Sequence, residues 1–141
     1  MRQLCHAEGL DRIVVTHAHR DHIGGVQDAH RLFGKVDVLK RPWPGQDDPA
    51  GVPITPIDHD TEVTTEGATL RAVFTPGHAP DHLCYFLVEE KALFTGDVVL
   101  GAGTTIIPDD TGDLGLYMNS LRRLLELDVE TIYPAHGDVI R

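Results

Sequence analysis

Ile13-Val14-Val15-Thr16 leads directly into His17-Ala18-His19-Arg20-Asp21-His22, and this stretch decides both the fold and the chemistry. The β-branched run predicts a short buried strand, so the polar run would lie at the strand's end. Side chains two apart in an extended segment face the same side, which predicts that His17, His19 and Asp21 converge while His22 points to a neighbouring position. Imidazole and carboxylate groups are ligands for Zn²⁺, Fe or Mn²⁺, so the stretch predicts a metal site.

The same order of elements recurs three times further along the chain. A short apolar strand precedes each of Pro76-Gly77-His78, Gly96-Asp97 and Pro134-Ala135-His136-Gly137. Ligands from several strand ends can meet at one edge of a fold, and together they are numerous enough for two metal ions. The predicted ligand set is His17, His19, Asp21, His22, His78, Asp97 and His136.

The remaining pattern predicts a mixed α/β chain. Residues 23–33 have helical spacing, residues 36–39 suit a strand, and the proline-rich residues 42–53 predict an exposed loop. Two hairpins are expected over residues 62–74 and 84–95. Asp113 is a candidate N-cap for a last helix, whose apolar stripe consists of Leu114, Tyr117, Leu121, Leu124 and Leu125. The first four of these side chains are expected in the core.

Length and charge limit the classes of protein that fit. The chain has 141 residues, which suits a single domain over 1–141, and no apolar run resembles a signal peptide or membrane span, so a cytoplasmic location is expected. Its net charge of −10 argues against non-specific nucleic-acid binding. Cys5 and Cys84 lack a C-x-x-C spacing, which argues against a thiolate zinc site.

The H-x-H-x-D-H motif at residues 17–22 resembles that of the metallo-β-lactamase superfamily, and the three later segments resemble its other ligand motifs. The resemblance implies that His17, His19 and His78 hold one metal, that Asp21, His22 and His136 hold a second, and that Asp97 bridges them. Within the superfamily, residues 76–82, 101–105 and 116–121 look most like the β-lactamase-like protein 2 group, which is related to glyoxalase II.

The function expected from this resemblance is hydrolysis by a hydroxide held on two divalent ions, with Zn²⁺ favoured and Fe or Mn²⁺ as alternatives. A small-molecule thioester or related ester is the expected substrate, with Asp21 and Asp97 in the catalytic roles. Three alternative hypotheses for the function are a single-stranded endoribonuclease, a mono-iron persulfide dioxygenase and an inactive metal-binding fragment. His82, Thr104 and Tyr117 are weaker candidates for supporting a ligand or contacting substrate, whereas His6, His30 and His59 match no motif.

The resemblance also predicts a partial fold. Superfamily members have an αββα sandwich, and only twelve residues precede Ile13 here, so most of the N-terminal half-sheet is expected to be missing. The chain ends at Arg141, shortly after the last ligand motif, and looks truncated at both ends. The strands at residues 13–16 and 36–39 would then have unpaired edges, which predicts self-association.

Overall fold

The computed structural model describes residues 9–141, so Cys5 and His6 lie outside the described residues. Within this range a small parallel sheet has the order β1-β2-β3, and a larger sheet has the order β4-β5-β6-β7-β8. The small sheet consists of β1 (Arg12–Val14), β2 (Asp37–Lys40) and β3 (Ile54–Pro56). The larger sheet consists of β4 (Glu62–Thr65), β5 (Ala68–Phe74), β6 (Leu83–Leu87), β7 (Ala92–Gly96) and β8 (Thr131–Pro134).

Strands β4 to β7 pair antiparallel, and β8 pairs parallel to β7. Both predicted hairpins are therefore confirmed, as β4–β5 and β6–β7. The helices are α1 (Arg20–Ile23), α2 (Val26–Phe33) and α3 (Leu114–Leu125), with a short 3-10 helix at Asp48–Ala50. Among the described residues, no helix is long and apolar enough to cross a membrane.

Side-chain alternation along the strands explains the layers, because successive residues of a strand face opposite sides of its sheet. In β2, Leu39 joins a cluster with Ala72 and Leu83 of the larger sheet, whereas its neighbour Val38 packs against helix residues that include Ile23. In β6, Tyr85 belongs to the cluster between the sheets, and Phe86 packs with residues of α3 on the outer face. The two sheets therefore pack face to face with helices outside them, which is the predicted αββα sandwich.

The site segments leave the sheets at one end. Thr16 accepts a hydrogen bond at its carbonyl from the Leu83 N–H (2.8 Å), and the Tyr85 hydroxyl donates to the Val15 carbonyl (2.8 Å). These bonds join the segment before the H-x-H-x-D-H motif to the larger sheet. The loop that contains His78 and the loop that contains His17 are therefore held side by side.

Two element predictions are wrong in detail. The single helix expected over residues 23–33 is split at Gly24-Gly25 and begins at Arg20, so Asp21 and His22 are helical. The segment expected to be an exposed loop contains the 3-10 helix and leads into β3, and its Ala50 is fully buried. The packing of Ala50 and Val52 against Ile23 outweighs the local effect of the prolines.

Two packing predictions also need correction. Strand β2 is paired on both sides, so residues 36–39 do not form an edge, whereas β1 is an edge strand within residues 9–141. Self-association stays a prediction that now concerns β1. In α3, Asp113 accepts a hydrogen bond from the Leu116 N–H (2.8 Å) and is the predicted cap. Of the four stripe residues expected in the core, however, Leu114 is exposed.

Candidate metal centre

Four ligand atoms converge in what we call the inner group, formed by His17, His19, His78 and Asp97. His19 Nδ1 lies 2.9 Å from both His17 Nε2 and His78 Nε2, and Asp97 Oδ2 lies 3.4 Å from His78 Nε2. His17 and His19 follow β1, His78 follows β5, and Asp97 follows β7 directly. The three separate strand ends therefore bring their side chains together as the sequence pattern predicts.

A second set of ligand atoms forms the outer group, consisting of Asp21, His22 and His136. Asp21 Oδ2 lies 3.3 Å from His136 Nε2 and 3.6 Å from His22 Nε2. The extended spacing placed Asp21 with His17 and His19, and this prediction is wrong. Because the chain becomes helical at Arg20, Asp21 and His22 turn together toward His136, which is the partition that the family resemblance implies.

Asp97 faces both groups, one with each carboxylate oxygen. While Oδ2 faces His78 of the inner group, Oδ1 lies 3.3 Å from His22 Nε2 and 3.4 Å from His136 Nε2. Burial acts to raise the pKa of Asp97, but His22, His78 and His136 outweigh it and the pKa is lowered. The carboxylate is therefore kept ionised between the two sets of imidazoles.

The donor set fits divalent cations. Within residues 9–141, His22 Nε2 and Asp97 Oδ1 are buried and make no hydrogen bond. Burying a polar atom without a hydrogen bond costs free energy, which a bound cation would offset. Burial lowers the pKa of His17 and of His19, helped by neighbouring imidazoles, so both rings are neutral. Neutral imidazole and carboxylate are the forms that bind Zn²⁺, Fe or Mn²⁺.

His82 supports this centre without belonging to either group. Its Nε2 accepts a hydrogen bond from the Asp97 N–H (3.2 Å), and its Nδ1–H donates to Thr75 Oγ1 (2.9 Å), which donates on to Cys84 Sγ (3.3 Å). Burial, reinforced by His78, lowers the pKa of His82 to about 3. The neutral ring thus positions the backbone of the shared carboxylate.

Further contacts position the ligands, and sequence reasoning predicted only some of them. Thr105 Oγ1 donates to the Asp97 carbonyl (2.9 Å), whereas its neighbour Thr104 is exposed and lines, with Tyr117, a cavity of about 290 Å³. The Tyr117 hydroxyl donates to the Val98 carbonyl (2.8 Å), one residue beyond Asp97. The side chains of Thr105 and Tyr117 therefore fix the segment around Asp97.

A buried ion pair holds the loop between His17 and His19. Asp81 Oδ2 accepts a hydrogen bond from the Ala18 N–H (2.9 Å) and lies 2.5 Å from Lys40 Nζ. Both side chains are buried, and burial raises the pKa of Asp81 against the opposing effect of Lys40. Sequence reasoning missed this pair because the predicted strand ends at residue 39, whereas β2 extends to Lys40.

Known proteins with similar sequences identify the family of this chain. The sequence profile of the metallo-beta-lactamase superfamily matches residues 2–136. The chain belongs to this superfamily. An atrochrysone carboxyl ACP thioesterase of Emericella nidulans is 44% identical over 132 residues, which cover 93% of this chain and 40% of the relative. A lactamase-like protein of Penicillium aethiopicum is 47% identical over 134 residues, with coverage of 93% and 40%.

Solved metallo-beta-lactamase folds agree with the architecture. The crystal structure of TTHA1623 in a di-iron-bound form superposes with a TM-score of 0.76 at 26% identity, covering 92% of this chain and 71% of that one. ETHE1 from Myxococcus xanthus gives a TM-score of 0.75 at 26% identity, covering 94% and 58%. This superfamily chain spans about 40% of the length of the two fungal relatives above.

Proposed function

We propose that the chain is a metal-dependent hydrolase of thioesters that uses two divalent cations, with Zn²⁺ favoured over Fe or Mn²⁺. The observation that carries this proposal is the position of Asp97, whose two carboxylate oxygens face two separate sets of ligand atoms. The choice of a thioester is supported by relatives in Emericella nidulans and Aspergillus fumigatus, which are named as ACP thioesterases and are 44% and 43% identical.

The chain's own residues divide the work between them. His17, His19, His78 and Asp97 Oδ2 would hold one cation, and Asp21, His22, His136 and Asp97 Oδ1 the other. Bound cations of this kind lower the pKa of water toward about 7 and polarise a carbonyl. Asp21 has a side chain that is 61% exposed, so it can orient an incoming water and accept its proton. The water oxygen adds to the thioester carbonyl carbon while its proton passes to Asp21. The C–S bond then breaks and the leaving sulfur takes up that proton, so the products are a carboxylic acid and a thiol.

Charge favours a small acyl substrate over a polynucleotide. The chain carries 22 acidic and 12 basic residues, and a nuclease needs cationic side chains along several phosphates. The chain has two adjacent basic pairs, Lys40-Arg41 and Arg122-Arg123. Lys40 is buried in an ion pair and Arg41 pairs with Asp58. Arg122 donates to Asn119 and Arg123 to the Phe74 carbonyl, so all four side chains already have partners. Membership of the β-lactamase-like protein 2 branch, which the resemblance over residues 76–82, 101–105 and 116–121 implies, is part of this proposal.

The experiment compares substrates on one preparation. Protein reconstituted separately with Zn²⁺, Mn²⁺ and Fe²⁺ is assayed on acyl thioesters, on labelled unstructured RNA, and for oxygen consumption with a persulfide. Asp97→Ala serves as the blank in each assay. Thioester turnover above the blank is expected, with loss of turnover on chelation.

Other results would contradict the proposal in distinct ways. RNA cleavage without thioester turnover would establish the endoribonuclease reading. Oxygen consumption that requires iron would establish the dioxygenase. Metal binding with none of the three activities would identify a metal-binding fragment.

A further inference from the structure

The sequence contains one tryptophan, and its ring lies beside the inner group. The centroids of the Trp43 and His19 rings are 6.3 Å apart, and their planes are tilted by 52°. This separation is within the range of interacting aromatic pairs. Trp43 is only half-buried, so part of its ring surface is open to a bound molecule.

Hydrogen bonds hold the backbone of Trp43 in place. Its N–H donates to Asp47 Oδ2 (2.7 Å), and its carbonyl accepts from the Gln46 N–H (3.0 Å) and the Asp47 N–H (3.2 Å). Asp47 Oδ1 in turn lies 2.7 Å from the buried Lys40 Nζ. The proline-rich loop around Trp43 is thus a closed, hydrogen-bonded turn.

The same lysine connects this turn to the metal-ligand loop. Lys40 Nζ contacts Asp81 as well as Asp47, and Asp81 accepts from the Ala18 N–H, between His17 and His19. The buried Asp81 carboxylate and the half-buried Asp47 carboxylate both contact this ammonium group, and they therefore fix the Trp43 turn relative to His19. A rigidly held aromatic ring beside a reactive centre binds a flat ligand with little loss of conformational entropy.

A second apolar side chain lies near the inner group. The carbonyl of Ile106 accepts a hydrogen bond from His78 Nδ1–H (2.7 Å), and the Ile106 side chain is 72% exposed. An exposed apolar side chain one hydrogen bond away from a ligand histidine is available to an acyl group. Trp43 and Ile106 thus offer apolar surface next to His19 and His78.

We propose that Trp43 is a substrate-contacting residue that makes the site prefer thioesters with a flat, apolar acyl group, above all an aromatic one. This proposal rests on the proposed function, since it assigns an acyl group to the space beside the inner group. An aromatic acyl group can pair with the open part of the indole ring, whereas an acetyl group is too small to gain from it. Trp43 therefore raises the rate for aromatic thioesters relative to that for acetyl thioesters.

The kinetic test compares benzoyl and acetyl thioesters of the same thiol. Trp43→Ala should lower kcat/KM for the benzoyl thioester by roughly three- to tenfold and leave the acetyl thioester within about twofold. Trp43→Phe should keep most of the preference. Leu125→Ala, at a side chain that is 84% exposed on α3, is the matched control and should change neither rate.

Equal losses on both thioesters, or no loss on either, would overturn the role of Trp43. Melting temperatures of the variants separate a specificity change from a folding defect. If the alanine variant does not fold, quenching of the wild-type Trp43 fluorescence by a bound aromatic acid decides the role of this residue.

A binding test keeps this proposal separate from the proposed function. Trp43 is the sole source of tryptophan emission, and a nitrobenzoate quenches indole fluorescence on contact. Saturable quenching of the Zn²⁺-loaded protein by nitrobenzoate is expected, with none by acetate. Equilibrium dialysis should show roughly three- to tenfold weaker nitrobenzoate binding to Trp43→Ala.

The two tests fail in different ways. Saturable quenching without any thioester turnover would support an aromatic site at Trp43 and reject the thioesterase. Free N-acetyltryptophanamide is the control, because its quenching by nitrobenzoate is linear in concentration. If the protein hydrolyses thioesters but shows only such linear quenching, the thioesterase is supported and the aromatic site is rejected.

Discussion

His82 Nε2 accepts a hydrogen bond from the backbone N–H of Asp97 at a distance of 3.2 Å. An imidazole that accepts at Nε2 carries its proton on Nδ1, and that proton is donated to Thr75 Oγ1. The ring is therefore fixed as one neutral tautomer, and both of its nitrogens are used. His82 cannot bind a metal in this arrangement, so its role is to hold Asp97 where each carboxylate oxygen faces one ligand group.

Replacing Asp97 should have a larger effect than replacing His82. We expect Asp97→Ala to lose metal from both groups, because each group loses one oxygen. His82→Ala should reduce metal affinity by about 10–100-fold, which is typical of a partner that orients a ligand. Elemental analysis and chelator competition measure both effects. Equal losses in the two variants would contradict this assignment, and His59→Ala is the control because His59 belongs to neither group.

Gly77, directly before the proposed ligand His78, is expected to tolerate no side chain. Its φ is +135°, and a Cβ there would overlap the backbone of Tyr117 in α3. The Gly77 carbonyl also accepts a hydrogen bond from the Asp113 N–H (2.8 Å), so this segment cannot move away from the helix freely. Gly77→Ala should lower the free energy of unfolding by about 2–4 kcal/mol, as measured by urea denaturation.

Gly67 provides the matched control for the close contact at Gly77. It also has a positive φ, +82°, but a Cβ there would meet nothing within 4 Å. Gly67→Ala should therefore cost only the conformational strain, about 1 kcal/mol. Similar losses in both variants would show that the contact with Tyr117 is relieved by a small shift of α3.

The sequence was sufficient for every strand except β3, and for the residues whose ligand atoms the structure brings together. The reason is local. Each of His78, Asp97 and His136 follows a strand whose apolar pattern is readable, and strand ends meet at one edge of a sheet. The partition of the ligands was not readable from spacing, because the helix that begins at Arg20 turns Asp21 away from His17 and His19. Helical structure that short has no periodicity to detect.

The supporting contacts were harder to predict, because they join residues distant along the chain. Lys40 and Asp81 are 41 positions apart in sequence (81 − 40), and nothing in either segment indicates that a lysine will be fully buried. Trp43 lies in a proline-rich stretch that predicts an exposed loop, and its hydrogen bonds to Asp47 depend on the same lysine. Tertiary packing, rather than local sequence, determines these positions.

Breaking the buried Lys40–Asp81 pair should destabilise the fold strongly. Lys40→Met leaves the Asp81 carboxylate buried without its cation, which typically costs about 3–5 kcal/mol. Adding Asp81→Asn removes the buried charge and keeps an oxygen that can accept from the Ala18 N–H. The double variant should therefore be more stable than Lys40→Met alone, by urea denaturation.

An exposed lysine provides the control for the variants of Lys40 and Asp81. Lys91 also contacts two carboxylates, those of Asp128 (2.9 Å) and Glu130 (3.0 Å), but at the surface. Lys91→Met should leave the melting temperature nearly unchanged, because solvent screens such pairs. If the double variant loses as much free energy of unfolding as Lys40→Met and Asp81→Asn lose together, then Lys40 and Asp81 do not interact.

Cys84 should be chemically inert in the native protein and should make stability fall at alkaline pH. Burial raises the pKa of its thiol to about 12, above the value of 9.0 for a free side chain. Between these two values the unfolded chain loses the proton and the folded chain keeps it, so stability is full below pH 9 and declines as pH rises. The slope from this group approaches about 1.4 kcal/mol per pH unit.

Two measurements check this, both in a Cys5→Ser background so that Cys84 is the remaining thiol. Alkylation by iodoacetamide at pH 8.5 should be no faster than global unfolding, and should become rapid in urea. Urea denaturation between pH 8 and 10 should show a decline that Cys84→Ala removes, since the buried Tyr85, whose pKa is also raised, contributes mainly above that range. Rapid alkylation of the folded protein would show that the cluster of Val73, Phe86 and Leu93 around Cys84 opens without global unfolding.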